Sequence, residues 1–497
     1  MRRLHVTPSV EPFSIAATVS LKNYRRTSRK NSRLAHSTSS KRVTWGRTCD
    51  HQSWLRTLFW STPVVIAPML ALSCFLALAG YDGSLFKLFA AVLKDGFLPV
   101  LHTHGPRITL RAMAAIIFWL AFQAVLYHYL PGPTNTGQRT PAGHLLTYRM
   151  NGLLAWVITH VAFIALCYLD LLDPAFIPRN WEGLFAAMNL AGFGLSLLAY
   201  LKAYLMPTHP EDRKFSGCAL YDFYMGIELN PRIGDNFDLK LYTNGRPGLI
   251  AWTLVSVFLF YRDSLTPAKN VSRDLSNIAY HYQIHRHTSP SLILVTILHG
   301  IYVLDFFINE AWYLRTIDIA HDHYGFYLAW GCLTWVPSMY TLQTQFLGLY
   351  PTSASPVFLI LIFSIGIAGY ALFRSVNDQK DRVRRSDGKA LVWGKPAEFI
   401  VAKYKTSDGA EHQSLLLCSG WWGWSRHANY VGDLMLSFSM CALVHTTSLL
   451  VWFYIIFMAV LLVHRCLRDE ERGQAKYGVF WEEYCRRVPW RLVPGIW

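Results

Sequence analysis

The chain has 497 residues, 52% of them hydrophobic and 16% charged, whereas an average soluble domain is roughly 45–50% apolar and 25% charged. Its net charge of +16 is uneven, because residues 1–48 hold 11 Lys or Arg against the single acid Glu11. A disordered chain, a collagen-like fibre and a small secreted scaffold are excluded. The apolar residues are grouped in blocks of about twenty, the span of a bilayer core, which predicts an all-α fold: a polytopic membrane helical bundle.

Residues 1–55 form a basic tail rich in Ser and Thr, without an apolar core pattern. The tail also lacks the apolar region and the cleavage site of a signal peptide. We expect it to be disordered and cytosolic, acting as a positive-inside anchor for the first helix. Attraction of its charges to anionic lipid or to nucleic acid is the alternative, and we expect no nucleic-acid partner.

The apolar blocks predict about ten transmembrane helices, provided that the last block forms two. Basic residues are concentrated in the loop expected after residue 374 and in the tail after residue 464. The positive-inside bias places both segments beside the N-terminus, so both chain termini are expected in the cytosol. The blocks lie near residues 58–80, 111–131, 152–173, 183–206, 248–262, 290–309, 323–348, 354–374 and 431–464.

Short motifs exclude several kinds of site. The nine cysteines occur singly, without a CxxC pair, so neither a disulfide framework nor a zinc site is predicted. The chain contains neither GxxxxGK[ST] nor a GxGxxG that opens a helix, so a P-loop or Rossmann nucleotide site is unsupported. The His-rich stretch 280–287 is interpreted as a loop between spans.

The most unusual local feature is the density of ionisable residues among aromatic ones in residues 300–327. Ionisable groups inside an apolar span are costly and functional by default. His321 and His323 stand at i,i+2 and would face different sides of a helix, which disfavours a metal site. A structural hydrogen-bond network and a proton-delivery network both remain open. On helices, polar stripes would be formed by Asp305 with Asn309 and Glu310, and by Asp318 with His321 and Asp322.

A second constellation lies in the late basic segments. Lys380 and Arg384 are spaced i,i+4, so one helix face could clamp a phosphate. Trp and Tyr residues in 419–430 offer faces on which a nucleotide ring could stack. The alternative is that these cations only fix topology and that the aromatic residues form an interfacial belt.

Six long blocks of the sequence resemble the sterol reductase family of the endoplasmic reticulum. They cover most of the chain from about residue 130 to residue 497, leaving the basic tail and the first span outside. The blocks are LPGP with TPAG and YRMNG (130–152), the stretch from GIELNPRIG to GLIAW (226–252), DFFINEAWYLRTIDIAHDHYGFYLAWG (305–331), WVPSMYTLQTQFL (335–347), SGWWGWSRHANYVGDL (419–434), and HRCLRDEERGQAKYG with the rest of the chain (464–497).

The resemblance implies a fold and a cofactor. It implies N-terminal transmembrane helices over 56–290 and a catalytic half over 291–497, with a sterol pocket and loops that bind NADPH as hydride donor. Matched motif by motif, the cofactor-binding residues would be Lys380, Arg384, Leu417, Trp422, Asn429, Tyr430, Asp469, Gly473 and Tyr484. Plausible neighbours are Arg426, His427, Asp433, Arg465 and Tyr477.

Within the family, NEAWYLRTIDIAHDHYG and the segment 377–395 resemble the branch that reduces the C7=C8 bond of 5,7-diene sterols. One departure is Cys332, where relatives usually show Asp, which bears on substrate preference or rate. An unactivated alkene needs an acid as well as a hydride. The proton-donor candidates are Tyr302, Asp305, Glu310, Asp318 and His323, with Asp433 and Asp469 as rivals.

The alternatives belong to other branches and classes. They are a reductase of 8,14-diene sterols, a receptor that keeps this body without activity, and a membrane methyltransferase of the isoprenylcysteine type, against which the NPRIG and DHYGFY blocks argue. The expected location is the endoplasmic reticulum membrane, and the expected partners are a sterol drawn from the bilayer and membrane lipids. Association with other sterol-pathway enzymes is a further hypothesis.

Overall fold

The computed structural model describes residues 57, 59, 61–256, 289–406 and 409–497. Three sequence-based expectations lie outside these residues: the tail 1–55, the His-rich stretch 280–287, and the end of the apolar block 248–262.

The first half of the chain, where it is described, is a series of helices joined by connections that range from single residues to a 22-residue segment with a hairpin. Its longest helix has 25 residues. The helices are α1 (Pro63–Gly80), α2 (Leu85–Asp95), α3 (Phe97–His104), α4 (Leu110–Tyr129), α5 (Gly152–Tyr168), α6 (Phe176–Arg179), α7 (Trp181–Leu205), a 3₁₀ turn (Pro210–Asp212), α8 (Ala219–Met225) and α9 (Leu239–Thr243), which continues through a π-helical turn (Asn244–Gly248) into α10 (Leu249–Ser256).

The second half contains two very long helices, Pro356–Arg385 and Leu449–Tyr477, and a series of shorter ones. The helices are α11 (Pro290–Ile308), α12 (Glu310–Tyr313), α13 (Ile317–Ala320), α14 (Phe326–Trp330), a π-helical turn (Gly331–Trp335), α15 (Val336–Met339), α16 (Leu342–Leu349), α17 (Pro356–Arg385), α18 (Trp421–Trp424), α19 (Ala428–Ala442), α20 (Leu449–Tyr477) and α21 (Val479–Arg487).

Strands form only two-stranded antiparallel hairpins in the described part of the chain. The longest pairs Phe399 with Leu417 and Lys405 with Glu411 at its two ends, and it packs against α20 and α21. The strands are β1 (Thr134–Thr136) with β2 (Thr147–Arg149), β3 (Arg232–Ile233) with β4 (Phe237–Asp238), β5 (Leu391–Val392) with β6 (Lys395–Pro396), and β7 (Phe399–Lys405) with β8 (Glu411–Leu417).

Six helices among the described residues are long and apolar enough to cross a membrane: α1, α4, α7, α11, α17 and α20. The apolar blocks near 111–131, 183–206 and 290–309 coincide with α4, α7 and α11, and the block 431–464 divides between α19 and α20, as expected. The helical membrane fold is therefore confirmed. The count of ten spans and the division at residue 290 remain predictions.

Three expectations about secondary structure are wrong. Residues after 374 were expected in a loop, but α17 runs on to Arg385, supported by i,i+4 ion pairs such as Asp378–Arg382 at 2.8 Å. Likewise, α20 continues past residue 464 to Tyr477. The block 323–348 is not one span, because a π-helical turn at Gly331–Trp335 and Pro337 divide it into short helices.

Two facing glycines hold α17 against α19. A Cβ atom at Gly369 would lie 2.7 Å from the carbonyl oxygen of Gly432, and a Cβ atom at Gly432 would lie 2.5 Å from that of Gly369. Only glycine allows the two backbones to touch in this way, as small residues do where membrane helices cross closely. This contact fixes the polar end of α17 relative to the start of α19, where the candidate site is formed.

Candidate active site

A cavity of about 460 Å³ lies among α11, α17, α19, α20 and the short helices between α11 and α16. Its volume falls in the range of ligand pockets, roughly 300–1,000 Å³. Two parts of its wall differ in chemistry. We call them the cationic face, formed by Lys380, Arg384 and Arg472, and the aromatic chamber, formed by Trp252, Tyr302, Trp335, Tyr340 and Phe457.

The cationic face combines residues from two helices. Lys380 and Arg384 stand one turn apart near the end of α17, and Arg472 stands near the end of α20. The Lys380 ammonium lies 3.5 Å from the ring centroid of Trp422, a cation–π contact. The Arg384 Nε donates to the carbonyl oxygen of Leu415 at 3.3 Å. Guanidinium groups held in this way can bind phosphate oxygens bidentately.

A tight turn places Trp422 beside Lys380. Gly420 has φ +62°, in the left-handed region, and a Cβ atom there would lie 2.4 Å from Oε1 of Gln379. That same oxygen accepts a hydrogen bond from the backbone N–H of Trp421 at 2.8 Å. The indole Nε1 of Trp422 then donates to the carbonyl oxygen of Val376 at 2.8 Å, so the ring lies flat along α17.

The start of α19 supplies polar atoms that lack partners within the described protein. Oδ1 of Asn429 and Oδ1 of Asp433 are buried without a hydrogen bond from any described residue. The ring of His427 stacks on Tyr430 with an interplanar angle of 7°. Burial lowers the pKa of His427 to about 4, so this imidazole is neutral at physiological pH and adds no charge to the cationic face.

The aromatic chamber is a continuous set of ring contacts. The Trp252 ring lies 5.1 Å from both Tyr302 and Tyr340, and Trp335 lies 5.0 Å from Phe457. Phe457 and Arg472 are both on α20, fifteen residues apart. At 1.5 Å of rise per residue, the chamber therefore lies roughly 22 Å along the helix from the cationic face.

A polar patch on α20 lies between these two regions. Arg465 donates to Asp318 at 2.6 Å, and Arg468, one turn further on, donates to Asp322 at 2.7 Å. Asp318 and Asp322 thus both contact α20, but they do not form the expected helical stripe with His321, because α13 ends at Ala320. Burial alone would raise the pKa of Asp322, but Arg468 and His321 hold it well below the usual value.

The structure brings most of the predicted cofactor residues to this cavity. Two do not reach it: Leu417 packs in the cluster beneath Trp422, and Tyr484 packs on the Trp481 ring, which itself lines the wall. A Cβ atom at Gly473 would lie 2.4 Å from that Trp481 ring. The predicted residues that do line the wall are Lys380, Arg384, Trp422, Asn429, Tyr430, Asp469 and Gly473, with His427, Asp433, Arg465 and Tyr477 beside them.

Of the five predicted proton donors, Tyr302 and Asp318 line the cavity. The others contribute elsewhere in the described structure. Asp305 accepts from Tyr370 at 2.9 Å and pairs with Arg374 at 3.3 Å, which ties α11 to α17. These contacts engage its carboxylate away from the cavity wall.

Glu310 and His323 also lie outside the cavity lining. Of the expected stripe, Asn309 does donate to Asp305 Oδ1 at 3.1 Å, but Glu310 does not join them, because α11 ends at Ile308 and Glu310 begins a new helix. Glu310 pairs with Arg246 at 2.6 Å and accepts from the backbone N–H of Gly152 at 2.9 Å. His323 Nε2 lies 3.2 Å from the carbonyl oxygen of Asp212.

The Glu310 contacts predict a stability effect. Arg246 and Glu310 are both buried, with side chains 0% and 3% exposed. We expect Glu310→Gln to lower the free energy of unfolding by about 3–5 kcal/mol, because it leaves a buried guanidinium without its counter-charge. Thermal unfolding in detergent measures the loss.

The matched control is Glu411→Gln, which removes an exposed pair with Lys405 and should leave thermal stability nearly unchanged. If Glu310→Gln abolished turnover without lowering thermal stability, the structural assignment would be wrong and a catalytic role would be favoured.

Several residues of the wall were not singled out by the sequence. Arg315 forms an ion pair with Asp381 at the cavity edge, and Tyr313 is hydrogen-bonded to Asn244. The concentration of ionisable residues in 300–327 pointed to this region without distinguishing these side chains. Cys332, which the sequence did single out, is buried and lines the wall as well. Among the described residues, no set of three His, Cys, Asp or Glu side chains could hold a metal ion.

Fold and cavity define a multi-pass helical membrane protein whose ligand cavity joins a cationic wall to an aromatic one. The Ergosterol biosynthesis ERG4/ERG24 family matches residues 86–497. The chain therefore belongs to this family of sterol reductases.

Individual relatives cover most of the chain. The 7-dehydrocholesterol reductase of Danio rerio is 40% identical over 475 residues, which cover 92% of this chain and 95% of the relative. That of Xenopus laevis is 42% identical over 403 residues, covering 79% and 81%. The Delta(14)-sterol reductase of Methylotuvimicrobium alcaliphilum is 36% identical over 444 residues, covering 88% and 94%.

Proposed function

We propose that this protein reduces the C7=C8 double bond of 5,7-diene sterols with NADPH, in the endoplasmic reticulum membrane and with both termini in the cytosol. The observation that carries the proposal is that one cavity has phosphate-binding cations at one part of its wall and an aromatic chamber at another. A water-soluble dinucleotide and a lipid-soluble alkene can meet only in a volume with both kinds of wall.

The residues present fit NADPH. Lys380, Arg384 and Arg472 would hold its phosphates, and the Trp422 indole offers an aromatic surface beside them. The unpaired acceptor of Asn429 suits a carboxamide donor. When bound, NADPH supplies the hydride, and the protein supplies everything else.

The chain must orient the sterol, exclude water and deliver a proton. The rings of the aromatic chamber bury the apolar sterol body, and a dry wall protects a cationic carbon from capture by water. Tyr302 stands in this chamber with its phenol available as a proton donor. Asp318 is less suited to this role, because its carboxylate is engaged in the ion pair with Arg465 at 2.6 Å.

The names of the relatives favour C7=C8 as the bond that is reduced. Those of Danio rerio and Xenopus laevis are both named for 7-dehydrocholesterol, a 5,7-diene. Reduction of an 8,14-diene is the second candidate, favoured by the relative named Delta(14)-sterol reductase. Cys332 lies in the cavity wall, so it is positioned to affect substrate preference.

The test supplies microsomes containing this protein with NADPH and either a 5,7-diene or an 8,14-diene sterol. We expect loss of the 5,7-diene ultraviolet absorbance and a product heavier by two hydrogens. Turnover of the 8,14-diene alone would favour the second candidate. Binding of either sterol without turnover would favour a receptor, and replacing NADPH with NADH tests the cofactor.

Membrane lipids are proposed partners, and co-purification tests association with other sterol-pathway enzymes.

A further inference from the structure

Four carboxyl groups line the cavity, and one of them differs from the rest. Asp318 pairs with Arg465, Asp381 with Arg385, and Asp469 with Arg472. The fourth, Asp433, forms no ion pair with any described residue, and its Oδ1 is buried without a hydrogen-bond partner there. Asp433 is 7% exposed.

The surroundings of Asp433 determine its protonation state. The titratable groups that face it are the phenols of Tyr302, Tyr340 and Tyr454, and the guanidinium of Arg465. Arg465 is already engaged by Asp318. A buried carboxylate without a partner costs several kcal/mol, and such a group binds a proton instead. Burial therefore raises the pKa of Asp433 to about 6, so this carboxyl holds a proton more readily than an exposed one.

The position of Asp433 is as informative as its charge. It is one turn beyond Asn429 on α19, and the Arg465 that faces it lies roughly midway along α20 between Phe457 and Arg472. Asp433 thus stands at the junction of the cationic face and the aromatic chamber. In the proposed function, the hydride and the alkene meet at this junction.

We propose that Asp433 is the acid that protonates the sterol alkene. The carboxyl O–H bond breaks as a C–H bond forms at one alkene carbon, while the other carbon receives the hydride supplied with NADPH. The carboxylate left behind takes up a proton from water at the polar end of the cavity before the next turnover. This inference rests on the proposed function. A carboxylic acid is a far stronger acid than a phenol, which favours Asp433 over Tyr302 for this demanding step.

The closing experiment uses the full-length protein in detergent or nanodiscs, with two independent readouts. Infrared difference spectroscopy on raising the pH detects the C=O stretch of a protonated carboxylic acid. We expect this band in the wild type and in the control Asp378→Asn, an exposed acid on α17, and its loss in Asp433→Asn. A wild-type spectrum without a band that depends on Asp433 would overturn the proposal.

Turnover is the second readout. We expect Asp433→Asn to reduce the turnover of the 5,7-diene at least about 100-fold, the scale of general acid catalysis, with the NADPH dissociation constant changed less than twofold. Wild-type turnover should fall as pH rises through the titration of Asp433, and Asp433→Glu should restore part of the rate. Turnover of Asp433→Asn within threefold of wild type, or a parallel loss of NADPH affinity, would contradict the acid role. If the wild type reduced neither diene, the proposed function itself would fail, whatever the infrared band shows.

Discussion

Arg384→Ala is expected to raise the NADPH dissociation constant about 10- to 100-fold while changing the sterol KM by less than twofold. The reason is that only the nucleotide carries phosphates, and a charge-assisted hydrogen bond contributes about 1.5–3 kcal/mol. Lys380→Ala should act in the same direction, and the double variant should lose more than either single one. Fluorescence titration with NADPH and initial rates at varied sterol concentration measure the two quantities.

Arg382→Ala is the matched control, because Arg382 stands on the same helix but pairs with Asp378 and is 57% exposed. It removes the same charge from the surface without touching the cavity, so its effect on NADPH affinity should be less than twofold at physiological salt. Equal losses in Arg382→Ala and Arg384→Ala would mean that net charge, and not a phosphate site, determines the affinity.

Val336→Trp is expected to reduce kcat/KM for the sterol at least about 100-fold and to leave NADPH binding intact. Val336 lines the cavity beside Trp335 and is half-buried, so the larger side chain occupies space that the proposed sterol needs. Excluding one ring of an apolar ligand forfeits several kcal/mol of burial. Retained NADPH affinity shows that the variant is folded.

Val460→Trp provides the control for size, since Val460 on α20 is 65% exposed and faces away from the cavity. We expect near wild-type turnover from this variant. Normal sterol kinetics in Val336→Trp would place the substrate outside the aromatic chamber and contradict the proposed function.

Long apolar helices were the most predictable part of the fold. The boundaries of α4, α7 and α11 differ from the predicted blocks by two residues or fewer, because roughly twenty apolar residues are required to cross a bilayer core. The block 323–348 includes polar residues such as Gln343 and Gln345, and it folds into short buried helices around Gly331 and Pro337. A block of mixed composition does not by itself distinguish a span from a segment buried in protein.

The candidate site was predictable where motif and helix spacing agreed. Lys380 and Arg384, spaced i,i+4, do share the cavity with Trp422 from a distant motif. The proton-donor candidates were harder to separate, since Glu310 has the chemistry of a catalytic acid and is held by an arginine 64 residues away in sequence. Asp433 is distinguished because it forms no ion pair with any described residue, which only the folded chain reveals.

The continuity of α17 and α20 beyond their apolar halves has a mechanical consequence. Helices of 30 and 29 residues extend roughly 45 Å, some 15 Å more than the hydrocarbon layer. Each helix has an apolar half suited to the bilayer core and a polar half that carries part of the cationic face. The helix holds these two halves at a fixed distance from each other. Inserting a single residue midway along either helix would rotate its part of the cationic face by about 100° around the helix axis. The separation between the cationic face and the aromatic chamber is therefore set by helix length, and not by the flexibility of a loop.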